Sequence, residues 1–134
     1  MPNPGVKGGP VLRNKRQDVV LCIGNDFVNL NLRCSLLKEH GWSVLSSGSG
    51  HEGVIRFGRE RVGAVVLDLK GDGSESALIV SELKRLRPKV PVIMLVADKE
   101  ILVPGATEQA DAVLLKADES GVLPETLRSL LKIC

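Results

Sequence analysis

Aromatic residues are nearly missing from this chain: one tryptophan, two phenylalanines and no tyrosine among 134 residues. A core made without them must be aliphatic, from Leu, Val, Ile and Ala. Single-stranded nucleic acid, which is held on aromatic stacking platforms, is not an expected partner. Charge imbalance is lacking too. A net charge of +2 gives no basic face for nucleic acid and no pull toward an anionic membrane surface. Cysteine is sparse: Cys22, Cys34 and Cys134 show neither CxxC nor Cys/His ligand spacing. An odd, scattered set fits reduced thiols in a cytoplasmic setting, not a disulfide framework. No apolar stretch is long enough to span a bilayer, and the start of the chain has no signal-peptide apolar region. His40 and His51 have no partner at metal spacing, and Ser46, Ser47 and Ser49 lie in no G-x-S-x-G elbow. Neither a zinc site nor a hydrolase is expected.

What is present is regular alternation. Residues 1–17, rich in Pro and Gly and then basic at Arg13, Lys15 and Arg16, read as a flexible leader to a single domain over 18–134. Strands are expected at Val19–Ile23, Trp42–Ser46, Val62–Asp68, Val90–Val96 and Ala112–Leu115. Between them lie helical patterns. Phe27–His40 carries a stripe of Val28, Leu32 and Leu36 with Leu30, Cys34 and Leu37 beside it, and Gly41 stops it. His51–Arg59 is short. Glu75–Leu86 turns Ile79, Val80, Leu83 and Leu86 inward, and Val122–Ile133 turns Leu123, Leu127, Leu130 and Leu131 inward. Lys99–Gln109 is a poor helix because Pro104 interrupts it. Near-continuous apolar strands between amphipathic helices predict a doubly wound, five-stranded parallel sheet in three α/β/α layers, flavodoxin-like, with order 2-1-3-4-5.

In such a sheet, ligands collect at the carboxyl ends of the strands. Two apolar runs end there in opposite charges: Val65–Leu67 in Asp68, and Val113–Leu115 in Lys116. Several further stretches share one order and spacing: Val19–Asp26, His40–Trp42, Ser47–Val54, Val65–Leu69, Pro91–Ala97 and Ala106–Lys116. Together these resemble a bacterial response-regulator receiver domain over residues 18–133. The resemblance implies a non-enzymatic module of two-component, phosphorelay signalling. Asp68 matches the phosphoacceptor and Lys116 the phosphate-contacting lysine. A Mg²⁺ site would involve Asp68, the backbone carbonyl of Lys70 and one of the neighbouring acids. The implied partners are a histidine kinase, a phosphotransfer protein or another signalling protein, with a homodimer also in the family's range. Lys38, Glu39, Lys99, Glu100 and Glu108 are the candidate docking residues.

The chain also departs from that family. Its acidic pair aligns with Gly24 and Asn25; Asp26 either takes the second acidic seat through a one-residue shift or caps the first helix. The switch hydroxyl aligns with Val96, the aromatic position with Val113, and the proline after the lysine with Ala117, so no cis bond is expected there. The Lys70 ammonium next to the metal position disfavours a dication, so the Mg²⁺ site is weak or absent. Each lost charge-assisted contact costs about 1–3 kcal/mol, enough together to slow phosphorylation by a few orders of magnitude. The alternative is a pseudo-receiver that docks partners without phosphorylation. A third reading is a small flavodoxin-like nucleotide binder using Gly48–Gly53, which spells G-x-G-x-x-G after a strand and before a helix.

Overall fold

The apolar runs of the sequence form strands, and all of them pair in parallel. The computed structural model describes residues 19–132; the expected leader over 1–17 lies outside them. The strands are β1 (Val19–Gly24), β2 (Ser43–Ser47), β3 (Ala64–Asp68), β4 (Val92–Val96) and β5 (Ala112–Leu115). They form one sheet in the order β2-β1-β3-β4-β5, which is the predicted topology. The helices are α1 (Phe27–Glu39), α2 (Gly50–Arg59), α3 (Ser74–Leu86) and α4 (Glu119–Leu131).

Alternation along the central strands supplies two cores. Val20, Cys22, Val66 and Ile93 face α1 and α4, where Leu30, Leu37, Leu123 and Leu127 meet them. Leu21, Ile23, Val65 and Met94 face the other way, onto Phe57 of α2 and Val80 and Leu83 of α3. A sheet covered on both faces explains why these strands read as apolar without polar interruption.

The G-x-G-x-x-G run is used for packing. Ser49 caps α2 by accepting a hydrogen bond from the Glu52 amide at 3.1 Å. Glu52 in turn accepts from the Gly48 amide at 3.2 Å, in the manner of a capping box. A Cβ at Gly53 would stand 2.4 Å from Ile23 Cδ1, and one at Gly50 would stand 2.8 Å from Ile79 Cδ1. These glycines therefore bring α2 close to the sheet and to α3. The Ser49 and Glu52 side chains already occupy amides that a phosphate would need.

Four expectations require correction. On α1 the predicted stripe points outward: Val28 and Leu32 are 65% and 64% exposed. The buried face is Leu30, Arg33 and Leu37, because Arg33 has ion-pair partners inside and turns the helix that way. On α3, Leu86 is exposed at the last turn while Ser76 is buried. Between β4 and β5 only one short 3₁₀ turn forms, at Lys99–Ile101, followed by turns. Its backbone is tied instead to the β3–α3 loop by the Val103 amide donating to the Asp72 carbonyl at 2.8 Å. The last helix starts at Glu119, three residues earlier than predicted. Among the described residues no helix is long and apolar enough to cross a membrane.

Candidate functional site

Parallel registration sets the floor of the site. Gly24 lies beside Asp68 across β1 and β3, and Val96 lies beside Leu115 across β4 and β5. The ends of four strands thus reach one rim. The Lys116 ammonium comes from the residue after β5 and sits 3.1 Å from Asp68 Oδ2, so the two charges chosen from sequence do meet. Asp68 is 4% exposed, and a buried carboxylate must be paired.

A second cation, which the sequence reading did not select, completes that pairing. Arg33 Nη2 donates to Asp68 Oδ2 at 3.0 Å. The same guanidinium is gripped by Glu119 of α4: Nε donates to Oε2 at 2.7 Å and Nη2 to Oε1 at 2.9 Å. Two parallel bonds of this kind fix the plane of a guanidinium as well as its charge. Arg33 is 2% exposed. Burial works against its charge, but the Glu119 hydrogen bonds and the charges of Glu119 and Asp68 outweigh it, so its pKa rises. The signal was in the sequence as spacing: Arg33 falls midway between Leu30 and Leu37 on one helical face.

The altered positions follow from this arrangement. A Cβ at Gly24 would stand 3.3 Å from the Asp68 carbonyl oxygen and 3.8 Å from Arg33 Nη1. The guanidinium therefore spans the gap between the end of β1 and Asp68. Asn25 Oδ1 accepts from the Lys70 amide at 3.4 Å. Asp26 is the α1 cap, accepting from the Asn29 amide at 3.2 Å; its outward carboxylate lies 3.7 Å from Lys70 Nζ. The Asn29 amide first, and then Lys70, hold the Asp26 carboxyl below its usual range. Val96 and Lys116 line a cavity of about 140 Å³ beside Asp68, together with Gly73 and the buried Ser76. Val113 packs against the α2–α3 core, and no cis peptide bond occurs among the described residues. Lys38 and Glu39, both at the end of α1, and Glu100 and Glu108, between β4 and β5, are exposed.

These donors do not fit a divalent metal. Mg²⁺ is held through one or two carboxylates and several waters. Here Asp68 Oδ2 already faces two cations, Asp26 is engaged in its cap, and Gly24 has no side chain. Among the described residues no three His, Cys, Asp or Glu side chains converge. A dication about 5 Å from a guanidinium is repelled by several kcal/mol even at an effective dielectric of about 20.

Cys34 of α1 packs against the core cluster that holds Cys22 of β1, and the two thiols share their protons unequally. The Cys22 thiol lowers the Cys34 thiol to about 7 against the pull of burial, helped by Lys38 and Arg33. Cys22 moves well above its ordinary value, through Cys34 and its own burial. Below about pH 7 both thiols are protonated; as pH rises through that point the proton leaves Cys34 first. Iodoacetamide labelling followed by peptide mapping should therefore modify Cys34 with a rate that levels off just above neutrality, and spare Cys22. A plateau only near the ordinary thiol range of about 8.5 would contradict the pairing.

No family model matches the chain. The transcriptional regulatory protein GlrR of Escherichia coli K12 is 33% identical over 82 residues, which cover 61% of this chain and 18% of GlrR. The chain thus spans less than a fifth of the curated relatives it matches. Among solved structures, the response regulator TrrA of Thermotoga maritima, in complex with Mg²⁺-BeF, superimposes with a TM-score of 0.77 at 19% identity. The match covers 84% of this chain and 98% of TrrA. A CheY-like response regulator receiver domain protein from Methanospirillum hungatei gives 0.76 at 20% identity, covering 86% of this chain and 94% of that one. In fold and strand order, the chain is similar to the CheY-like response-regulator receiver domains.

Proposed function

We propose that this chain acts as a receiver in two-component signal transduction, with Asp68 as the acceptor of a phosphoryl group. The observation that supports it is the 3.1 Å contact of Lys116 with Asp68 at the carboxyl rim of a parallel sheet, opening on a cavity. In the reaction, an Asp68 oxygen forms an O–P bond as the P–N bond of a phosphohistidine, or the P–O bond of a small phosphodonor, breaks. The leaving group takes the electron pair: the histidine nitrogen departs as a protonated imidazole, taking its proton from solvent, and acetate departs from acetyl phosphate as the anion. Lys116 carries the charge on the phosphoryl oxygens. Val96 offers them no hydroxyl, so the modified state lacks one of the family's links to the surface beyond β4.

A partner bearing the phosphohistidine, a histidine kinase or phosphotransfer protein, follows from this reading, as does a cytoplasmic setting and the absence of an enzymatic activity of its own. One observation favours a second reading. Arg33 already pairs with Asp68 Oδ2, as suits a docking module that works unphosphorylated.

Incubation with acetyl phosphate, read by intact mass, separates the two. The expected result is a slow phosphate adduct on the wild-type chain and none on Asp68→Asn. A folded wild-type protein that gains no adduct would exclude the acceptor role and leave the docking module.

A further inference from the structure

We infer that Arg33 is the resident cation of this site: its guanidinium stands where a divalent metal would stand beside Asp68, and the site binds no Mg²⁺. Three placements carry this. Arg33 Nη2 is on Asp68 Oδ2 at 3.0 Å, and Nη1 lies next to Gly24, where a Cβ would stand 3.8 Å from it. One group thus fills the gap between the two strand ends. Glu119 holds the same guanidinium through Nε and Nη2, which anchors it against swinging out to admit an ion. Finally, the charges close on themselves. Arg33 and Lys116 balance Asp68 and Glu119, and Lys70 balances Asp26. A site without net negative charge has no excess attraction for a dication.

Glycine at position 24 and arginine at position 33 thereby make one exchange. The strand gives up a side chain, and the helix fills the space with a positive one. The inference holds whether or not Asp68 accepts a phosphoryl group, because it concerns only what neutralises that carboxylate.

The test is a titration of the full chain with Mg²⁺ and, separately, Mn²⁺, followed by calorimetry and by amide NMR shifts. The wild type is expected to show no saturable binding into the millimolar range, and no shift at the Gly24, Asn25 and Lys70 amides. Arg33→Met, which fills the space without charge, is expected to bind Mn²⁺ roughly tenfold or more tightly than the wild type. Arg33→Lys, which keeps the charge, is expected to behave as the wild type does. If Arg33→Met does not fold, Arg33→Gln, with a donor for Glu119, takes its place. Saturable submillimolar binding by the wild type, with shifts at those amides, overturns the inference. So does a folded neutral variant that binds no more tightly than the wild type.

Discussion

Replacing Arg33 with alanine should lower the free energy of unfolding by about 3 kcal/mol. Removing one partner of a buried ion pair typically costs about 3–5 kcal/mol, because the other charge stays in a poor solvent. The low end applies here. Asp68 keeps Lys116 at 3.1 Å, and the Glu119 side chain, 18% exposed, can hydrate when its partner leaves. A domain of this size holds on the order of 5–15 kcal/mol in total, so the loss is a large share. Arg85, which pairs with Glu82 on the open face of α3, is the control: its alanine variant should unfold at nearly the same urea concentration as the wild type. Urea denaturation of the two variants checks both values. The combination Arg33→Met with Glu119→Gln should regain part of the loss, since it removes the carboxylate that loses its ion-pair partner while Asp68 keeps Lys116. A loss under about 1 kcal/mol for Arg33→Ala would mean that the guanidinium is solvated.

Phe57→Ala should cost about 3–5 kcal/mol. In a chain so poor in aromatics, this ring has no large neighbour to expand into the space. It is fully buried between α2 and the sheet, in the cluster with Leu21, Ile23, Val62 and Val65, and α2 is anchored there through the close approach of Gly53 to Ile23. Arg87 also lies over the ring, 4.8 Å from its centroid, adding about 0.5–1 kcal/mol as a cation–π contact near the surface. Phe57→Leu, which keeps most of the volume, should lose less than half as much. Equal losses for the two would place the energy in the aromatic contact and not in the filled space.

The strands and their order were legible because each central strand is apolar on both faces and separated from the next by a helical period. Asp68 and Lys116 were legible because a charge that ends a buried run can only emerge at the rim. Arg33 and Glu119 were hidden for a physical reason. A helical arginine ordinarily extends its stem along the surface and leaves its head in water. The more evident apolar stripe, Val28–Leu32–Leu36, drew the inward face of α1 by about a third of a turn to the wrong side. Glu119 fell in a stretch read as loop, since the start of α4 has no side-chain cap hydrogen bond to announce it. The pattern after β4 predicts a poor helix over Lys99–Gln109, but only the turn at Lys99–Ile101 forms; what the sequence could not show is that the Asp72 carbonyl, from a distant loop, satisfies the amide of Val103.

The Arg33 contacts reach 35 residues forward to Asp68 and 86 residues forward to Glu119. A chain synthesised from its amino end makes α1 long before it makes α4. Until the last helix docks, the guanidinium has at most part of its seat, and contacts of such long range are the slow ones to form. The rim is therefore completed late in assembly, and the first and last helices are fastened to each other by the same guanidinium that neutralises Asp68.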